Sequence, residues 1–235
     1  MQDFGAAFSQ AFALILSGDA DLIEIIVLSL RVTLSAVALA CAIGLPLGAA
    51  LAVGRFPGRG ALVTLVNALM GLPPVVVGLG VYLLLSSAGP LGVLQLLYTP
   101  TAMIVAQTIL VTPIIAALTR QVVEDLHAEY DELLRSMGAR RLGVIATLLW
   151  DARYSLMTGA LAGLGRALGE VGAIIVVGGN INHVTRVMTT TIALETSKGN
   201  LSLALGLGVI LVGLSILVNG LVMGLRGSAA KLAYA

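Results

Sequence analysis

Long stretches without a charged side chain decide what this chain can become. Val32 to Gly54 contains none, nor does Gly60 to Thr119, nor Gly199 to Leu225. A helix needs about 20 apolar residues to cross a hydrocarbon core about 30 Å thick. The first and last runs therefore hold one span each. The middle run is long enough for two, separated by Ser86-Ser87-Ala88-Gly89-Pro90, with spans near 61–85 and 101–119. A fifth runs from about Tyr154 to Gly179, interrupted only by Arg166 and Glu170. Hydrocarbon offers no partner to unpaired backbone groups, and the short alternating strands of a membrane β-barrel are missing from the pattern. The expected fold is an all-α integral membrane protein of about five transmembrane helices. Composition agrees: 11% of the residues are charged, against about 25% in a soluble domain.

The basic residues orient the spans. If the stretch between the third and fourth spans is cytoplasmic, nine Lys and Arg fall on that side and three (Arg31, Arg186 and Lys198) on the other. This bias places the N-terminus outside and the C-terminus in the cytoplasm. Residues 1–24 read as a helix in the outer interface, from the spacing of Phe4, Phe8, Phe12, Ile15 and Leu16, with a sixth partial span as the rival. Residues 25–225 form the transmembrane domain and 226–235 a cytoplasmic tail.

Eleven of the 25 charged residues crowd between Arg120 and Arg153. Within that loop Leu126, Tyr130, Leu133, Leu134 and Met137 recur at helical spacing. Glu124 and Asp125 suit the positive end of such a helix, Arg135 its last turn, and Gly138 a left-handed stop. Its apolar stripe can fold back on the membrane domain, lie on lipid, or enter a groove on a cytoplasmic partner.

The segment Asp131-Glu132-Leu133-Leu134-Arg135-Ser136-Met137-Gly138-Ala139 resembles the cytoplasmic "EAA" loop of ABC importer permeases. That loop reads Glu-Ala-Ala, three residues, Gly, nine residues, then Ile-x-Leu-Pro. Glu132 and Gly138 match it in spacing and Leu148 takes the Ile position. Leu133 and Leu134 replace the alanines, and Trp150 and Asp151 replace Leu-Pro. Downstream, Gly165-Arg166-Ala167-Leu168-Gly169-Glu170-Val171-Gly172-Ala173, then Gly178-Gly179-Asn180-Ile181-Asn182 and Thr185-Arg186-Val187-Met188-Thr189-Thr190, resemble molybdate- and tungstate-type permeases, most closely the tungstate branch. The resemblance implies the architecture of a type I importer permease, translocating an oxyanion as a homodimer. Two ABC ATPase subunits would dock on Tyr130, Asp131, Glu132, Leu133, Leu134, Arg135, Met137, Gly138 and Ala139. An extracytoplasmic binding protein would deliver the anion. No cofactor is expected in this chain, with ATP and Mg bound by the ATPase.

Candidate gate residues follow from the spans. Arg166 and Glu170 are four apart, so on one helix they share a face and can pair, either as a clamp between helices or as part of the pathway. Gly71-Leu72-Pro73-Pro74 marks a kink, because proline removes an intrahelical hydrogen bond. Gly44/Gly48, Gly165/Gly169 and Gly220/Gly224 are spaced for close helix contact. Asn180, Arg186 and the threonines between 180 and 198 offer donors to an oxyanion, as a solvated loop also would.

Other functions fit poorly. A net charge of +1 supplies no basic patch for nucleic acid. One cysteine, Cys41, supports neither a disulfide framework nor a thiol metal site. His127 and His183 fall on opposite sides of the membrane, no catalytic metal cluster is in view, and there is no P-loop. The alternatives are a molybdate or sulfate permease of the same architecture, or a secondary transporter, although five spans do not divide into two related halves.

Overall fold

The computed structural model describes residues 9, 13 and 16–233, with the side chains of Arg135 and of residues from 225 onward left aside. Nearly everything described is helix. Helix α1 is Ala20–Val53, α2 Arg59–Leu69, α3 Pro74–Leu85, α4 Pro100–Ser136 and α5 Arg141–Asp151. Then come α6 Arg153–Leu168, α7 Gly172–Gly178, α8 Met188–Lys198 and α9 Leu201–Ala233. Among the described residues, three helices are long and apolar enough to cross a membrane: Ala20–Val53, Pro100–Leu134 and Leu201–Gly224. The number rises to five when α2 with α3, and α6 with α7, are each taken as one broken span.

Four expectations need correction. Helix α1 starts at Ala20, so residues 20–24 belong to a span; the Asp19 carboxylate caps it by accepting the Leu22 N–H at 3.1 Å. The rest of the interfacial reading of 1–24 lies largely outside the described residues. The amphipathic segment 124–138 is no separate helix but the last turns of α4, whose 37 residues run unbroken from the apolar run. No helix breaker stands between Thr119 and Glu124, and Pro113 is absorbed inside the helix. Conversely, the proposed span 154–179 is interrupted after Leu168. The segment 180–198, read as a loop, contains α8. Apart from these, α9 runs on past the candidate span as far as Ala233.

The chain divides into two compact units. One takes in the described part of Met1–Ser35 with Pro73–Gln107 and Leu168–Asn219. Its core joins Leu22, Met188 and Leu207. The Met188 N–H donates to Ser29 Oγ at 2.8 Å, tying the start of α8 to α1, and Gly78 of α3 packs directly on Ala173 of α7.

The other unit takes in Ala36–Leu72, Thr108–Ala167 and the described part of Gly220–Ala235. One cluster joins Ala40 of α1, Val111 and Ile115 of α4 and Ala167 of α6. A second joins Ala49 and Ala52 of α1, Val123 of α4, and Val144 and Leu148 of α5. The small residues matter because lipid-embedded helices gain their attraction from close packing rather than from expelling water. Gly48 shows this most sharply. A Cβ there would stand 2.4 Å from the Ala116 carbonyl oxygen and 2.7 Å from Thr119 Cβ. Of the three glycine pairs, Gly44/Gly48 is the one at such a contact; Cβ atoms at Gly165, Gly220 and Gly224 would meet nothing within 4 Å.

Gly48→Ala should therefore force α1 and α4 apart and cost about 1–3 kcal/mol, the usual penalty for overpacking. Its thermal midpoint in detergent should fall, whereas Gly165→Ala should leave the midpoint unchanged or slightly raised. A Gly48→Ala midpoint equal to wild type would disprove the close contact.

Candidate functional site

The charged end of α4 divides the predicted coupling residues into two sets. Leu126, Tyr130 and Leu134 turn inward and pack on the cluster formed with α1 and α5. Glu132, Leu133, Met137 and Ala139 are exposed, Leu133 by 58% and Met137 by 73%. Two turns of the stripe are thus spent within the molecule, and its tip is left open. Arg135 lies in the last turn of the helix. Gly138 stops the helix with φ +66°, while the Ala139 N–H donates back to the Leu134 carbonyl at 3.1 Å. This is a Schellman-type ending. It turns the chain into α5, which adds Leu142 and Trp150 to the exposed apolar surface. A side chain at Gly138 would meet no atom within 4 Å, so glycine is needed there for its backbone conformation and not for space.

Sequence reasoning named Glu124 and Asp131 but passed over the arginines that brace them. Arg59, at the start of α2, donates through Nη2 to Glu124 Oε1 at 2.7 Å and through Nε to the Leu51 carbonyl at 2.7 Å. Arg120 holds the other carboxylate oxygen of Glu124. Two turns along α4, half-buried Asp131 stands 3.6 Å from Arg55 and 3.7 Å from His127. These groups line a cleft of about 510 Å³. The Arg59–Glu124 pair is separated by 65 residues, so no spacing rule could have found it.

The predicted gate residues lie at helix breaks. Pro73 precedes α3 and Pro74 is its first residue, a position where the missing N–H costs nothing. The segment from Met70 to Pro73 is non-helical, as the kink expectation requires. Arg166 sits half-buried in the last turn of α6, where a cation complements the helix dipole. Glu170 lies beyond the end of that helix at Leu168, so the two residues do not stand on one continuous helix. The buried Glu170 carboxylate accepts the Ala173 N–H of α7 at 3.1 Å, and its carbonyl accepts from Thr189 Oγ1 at 2.9 Å. Glu170 mends the break.

The donors proposed between 180 and 198 are largely consumed by the fold. Thr185 donates to the Gly178 carbonyl at 2.5 Å and accepts the Ile181 N–H at 3.0 Å. Thr190 donates to Asn180 Oδ1 at 2.9 Å, and Thr191 to the Val187 carbonyl at 2.7 Å. Thr185, Thr190 and Thr191 are buried. Half-buried Arg186 donates to Asn182 Oδ1 at 2.9 Å. At the tip, exposed His183 Nδ1 lies 2.8 Å from the Glu24 carboxylate, and donor atoms of Asp21, Glu24 and His183 lie within 4.8 Å of one another. The hydrogen bond to Glu24 raises the imidazole pKa above its ordinary value, and the charges of Glu24 and Asp21 add to this against partial desolvation and Arg186. A raised folded pKa means the contact stabilises at acid pH and fades as pH climbs through that value. The thermal midpoint of wild type should thus drop from mildly acidic to alkaline buffer more than that of His183→Gln; equal pH slopes would count against the contact.

Comparison with known proteins places this geometry. Residues 44–226 match the family model described as binding-protein-dependent transport system inner membrane component. The chain is 37% identical to the tungstate uptake system permease protein TupB of Peptoclostridium acidaminophilum, over 96% of this chain and 99% of that protein. It is 39% identical to a probable anion ABC transporter permease protein of Haloferax volcanii, over 85% of this chain and 88% of that one. With the Campylobacter jejuni TupB it shares 36% over 66% and 65% of the two chains. Sulfate and molybdenum permeases among the relatives are more distant, at 28–29% identity. A broken-helix membrane domain carrying an exposed apolar tip beyond one long span is thus found in a transport subunit, and the secondary-transporter alternative falls away: this chain belongs to the family of binding-protein-dependent transport system inner membrane components.

Proposed function

We propose that this chain is the permease of an ABC importer for a tetrahedral oxyanion, tungstate first, working as a homodimer with two ATPase subunits. An extracytoplasmic binding protein delivers the anion, and ATP and Mg bind on the ATPase. The N-terminus is extracytoplasmic and the charged end of α4 is cytoplasmic, as the distribution of Lys and Arg favours. The observation that carries the reading is the apolar tip of Leu133 and Met137, exposed beside Gly138 and beyond the apolar run of α4, with Leu142 exposed at the start of α5. Apolar side chains kept in water at the end of a charged segment suit a groove on another subunit, with Glu132 and Arg135 fixing register at the rim. Tyr130 and Leu134 support the tip from below, through their packing on the α1–α5 cluster.

The substrate rests on the relatives: tungstate permeases are similar over most of the chain, sulfate and molybdenum permeases less so. Molybdate is the second reading. It matches tungstate closely in size and charge, and selectivity can reside in the binding protein.

Pro73, Pro74 and Arg166 are proposed to line the passage at the helix breaks, with Glu170 holding one break in shape. Asn180 and Arg186 are proposed to support the outer gate.

Reconstitution with the ATPase and the binding protein tests this. ATP turnover should rise with tungstate, with molybdate as the nearest competitor and sulfate well behind; turnover indifferent to all three would reject the reading. A β-branched residue at φ +66° is strained by about 1–2 kcal/mol. Gly138→Val should therefore reduce anion-stimulated hydrolysis by about tenfold, since 1.4 kcal/mol is a factor of ten. Full stimulation in that variant would remove the coupling role from the turn.

A further inference from the structure

We propose that Glu124 is a positioning residue for energy coupling: with Arg59 it forms a strut that carries displacement of the α4 tip into α2. The proposal rests on the transport reading above and adds a path by which the motor's work enters the membrane domain. Glu124 and Asp131 are seven residues apart, two turns of α4, so they lie on one face of the helix. That face looks onto the connector between α1 and α2, where each carboxylate meets an arginine: Glu124 with Arg59 at 2.7 Å and Asp131 with Arg55 at 3.6 Å.

The two rungs differ in kind. Arg55 is 70% exposed and its contact is long, so water and salt weaken it. Arg59 is 30% exposed and is fixed twice, by Glu124 and by the Leu51 carbonyl at the end of α1. Glu124 is fixed twice as well, since Arg120 of α4 takes its second oxygen. Charge-assisted bonds that engage both ends of each side chain define a distance, which a single flexible ion pair does not. The rung lies two turns before Asp131, the first residue of the EAA-like segment. On its far side Arg59 opens α2, whose C-terminal end leads into the non-helical segment before Pro74. A pull on the α4 tip therefore reaches the start of α2 through a bonded link.

A purely structural pair would lower stability or assembly without altering the stoichiometry of transport, and this separates the two roles. In proteoliposomes holding the complete importer, Glu124→Gln should still co-purify with the ATPase and hydrolyse ATP. Tungstate moved per ATP should fall by about fivefold or more, the lower range of measured coupling between sites. Exchanging the charges, Arg59→Glu with Glu124→Arg, should recover at least half of that ratio. An unchanged ratio in Glu124→Gln overturns the strut, as does a loss explained wholly by failed co-purification. An exchanged pair that co-purifies and gains nothing over Glu124→Gln overturns it too. If wild type itself shows no anion-stimulated hydrolysis, the transport reading fails first and the strut with it.

Discussion

Hydrocarbon does not replace a lost hydrogen bond, and this fixes most of what the chain does. Each place where a helix is broken must find its partners among nearby side chains. The break after Leu168 is repaired by Glu170 and Thr189, one taking the Ala173 N–H and the other covering the Glu170 carbonyl. The turn after Gly178 is repaired by Thr185, which serves both the Gly178 carbonyl and the Ile181 N–H. Polar residues near the ends of the spans are therefore first of all repairs to the backbone. Only what is left after those repairs is available to a passing anion.

The same economy shapes the charged end of α4. Glu124 is matched by Arg59 and Arg120 and Asp131 by Arg55, and the inward apolar residues of this end are matched by α1 and α5. Among the described residues at this end, Leu133 and Met137 stay exposed beside a glycine turn. A subunit with no nucleotide-binding motif of its own presents to its surroundings a shape that another protein can grip.

Much of this was legible beforehand. Charge-free runs located the spans, since burying a charge in lipid costs more than any local propensity can return. Gly138 was readable as a stop because few other residues accept its backbone angles, and Pro73-Pro74 as a break because proline lacks the donor a helix needs. The junction at Thr119 was misread: charge density changes abruptly there while helix propensity does not, and the chain follows propensity. Arg166 and Glu170 were placed on one continuous span, whereas the helix ends between them at Leu168, and i,i+4 spacing implies a shared helical face only where the helix persists. The Arg59–Glu124 pair is a tertiary contact and left no periodic trace. The threonines of 185–191 carry chemistry that suits an anion and a backbone carbonyl equally well, so composition could not show which they serve.

The unbroken course of α4 has a rotational consequence. A helix of 37 residues is a rod of about 55 Å, and each residue advances its azimuth by about 100°. The direction in which its far end faces is therefore phased to the packing of its lipid-embedded half around Gly48. Adding or deleting one residue near Thr119 swings that end about a quarter of the way round the axis, while a whole turn nearly restores its bearing. Such a rod can be lengthened or shortened without turning its far end only in steps that respect this screw, so the junction is sensitive to insertions through geometry alone.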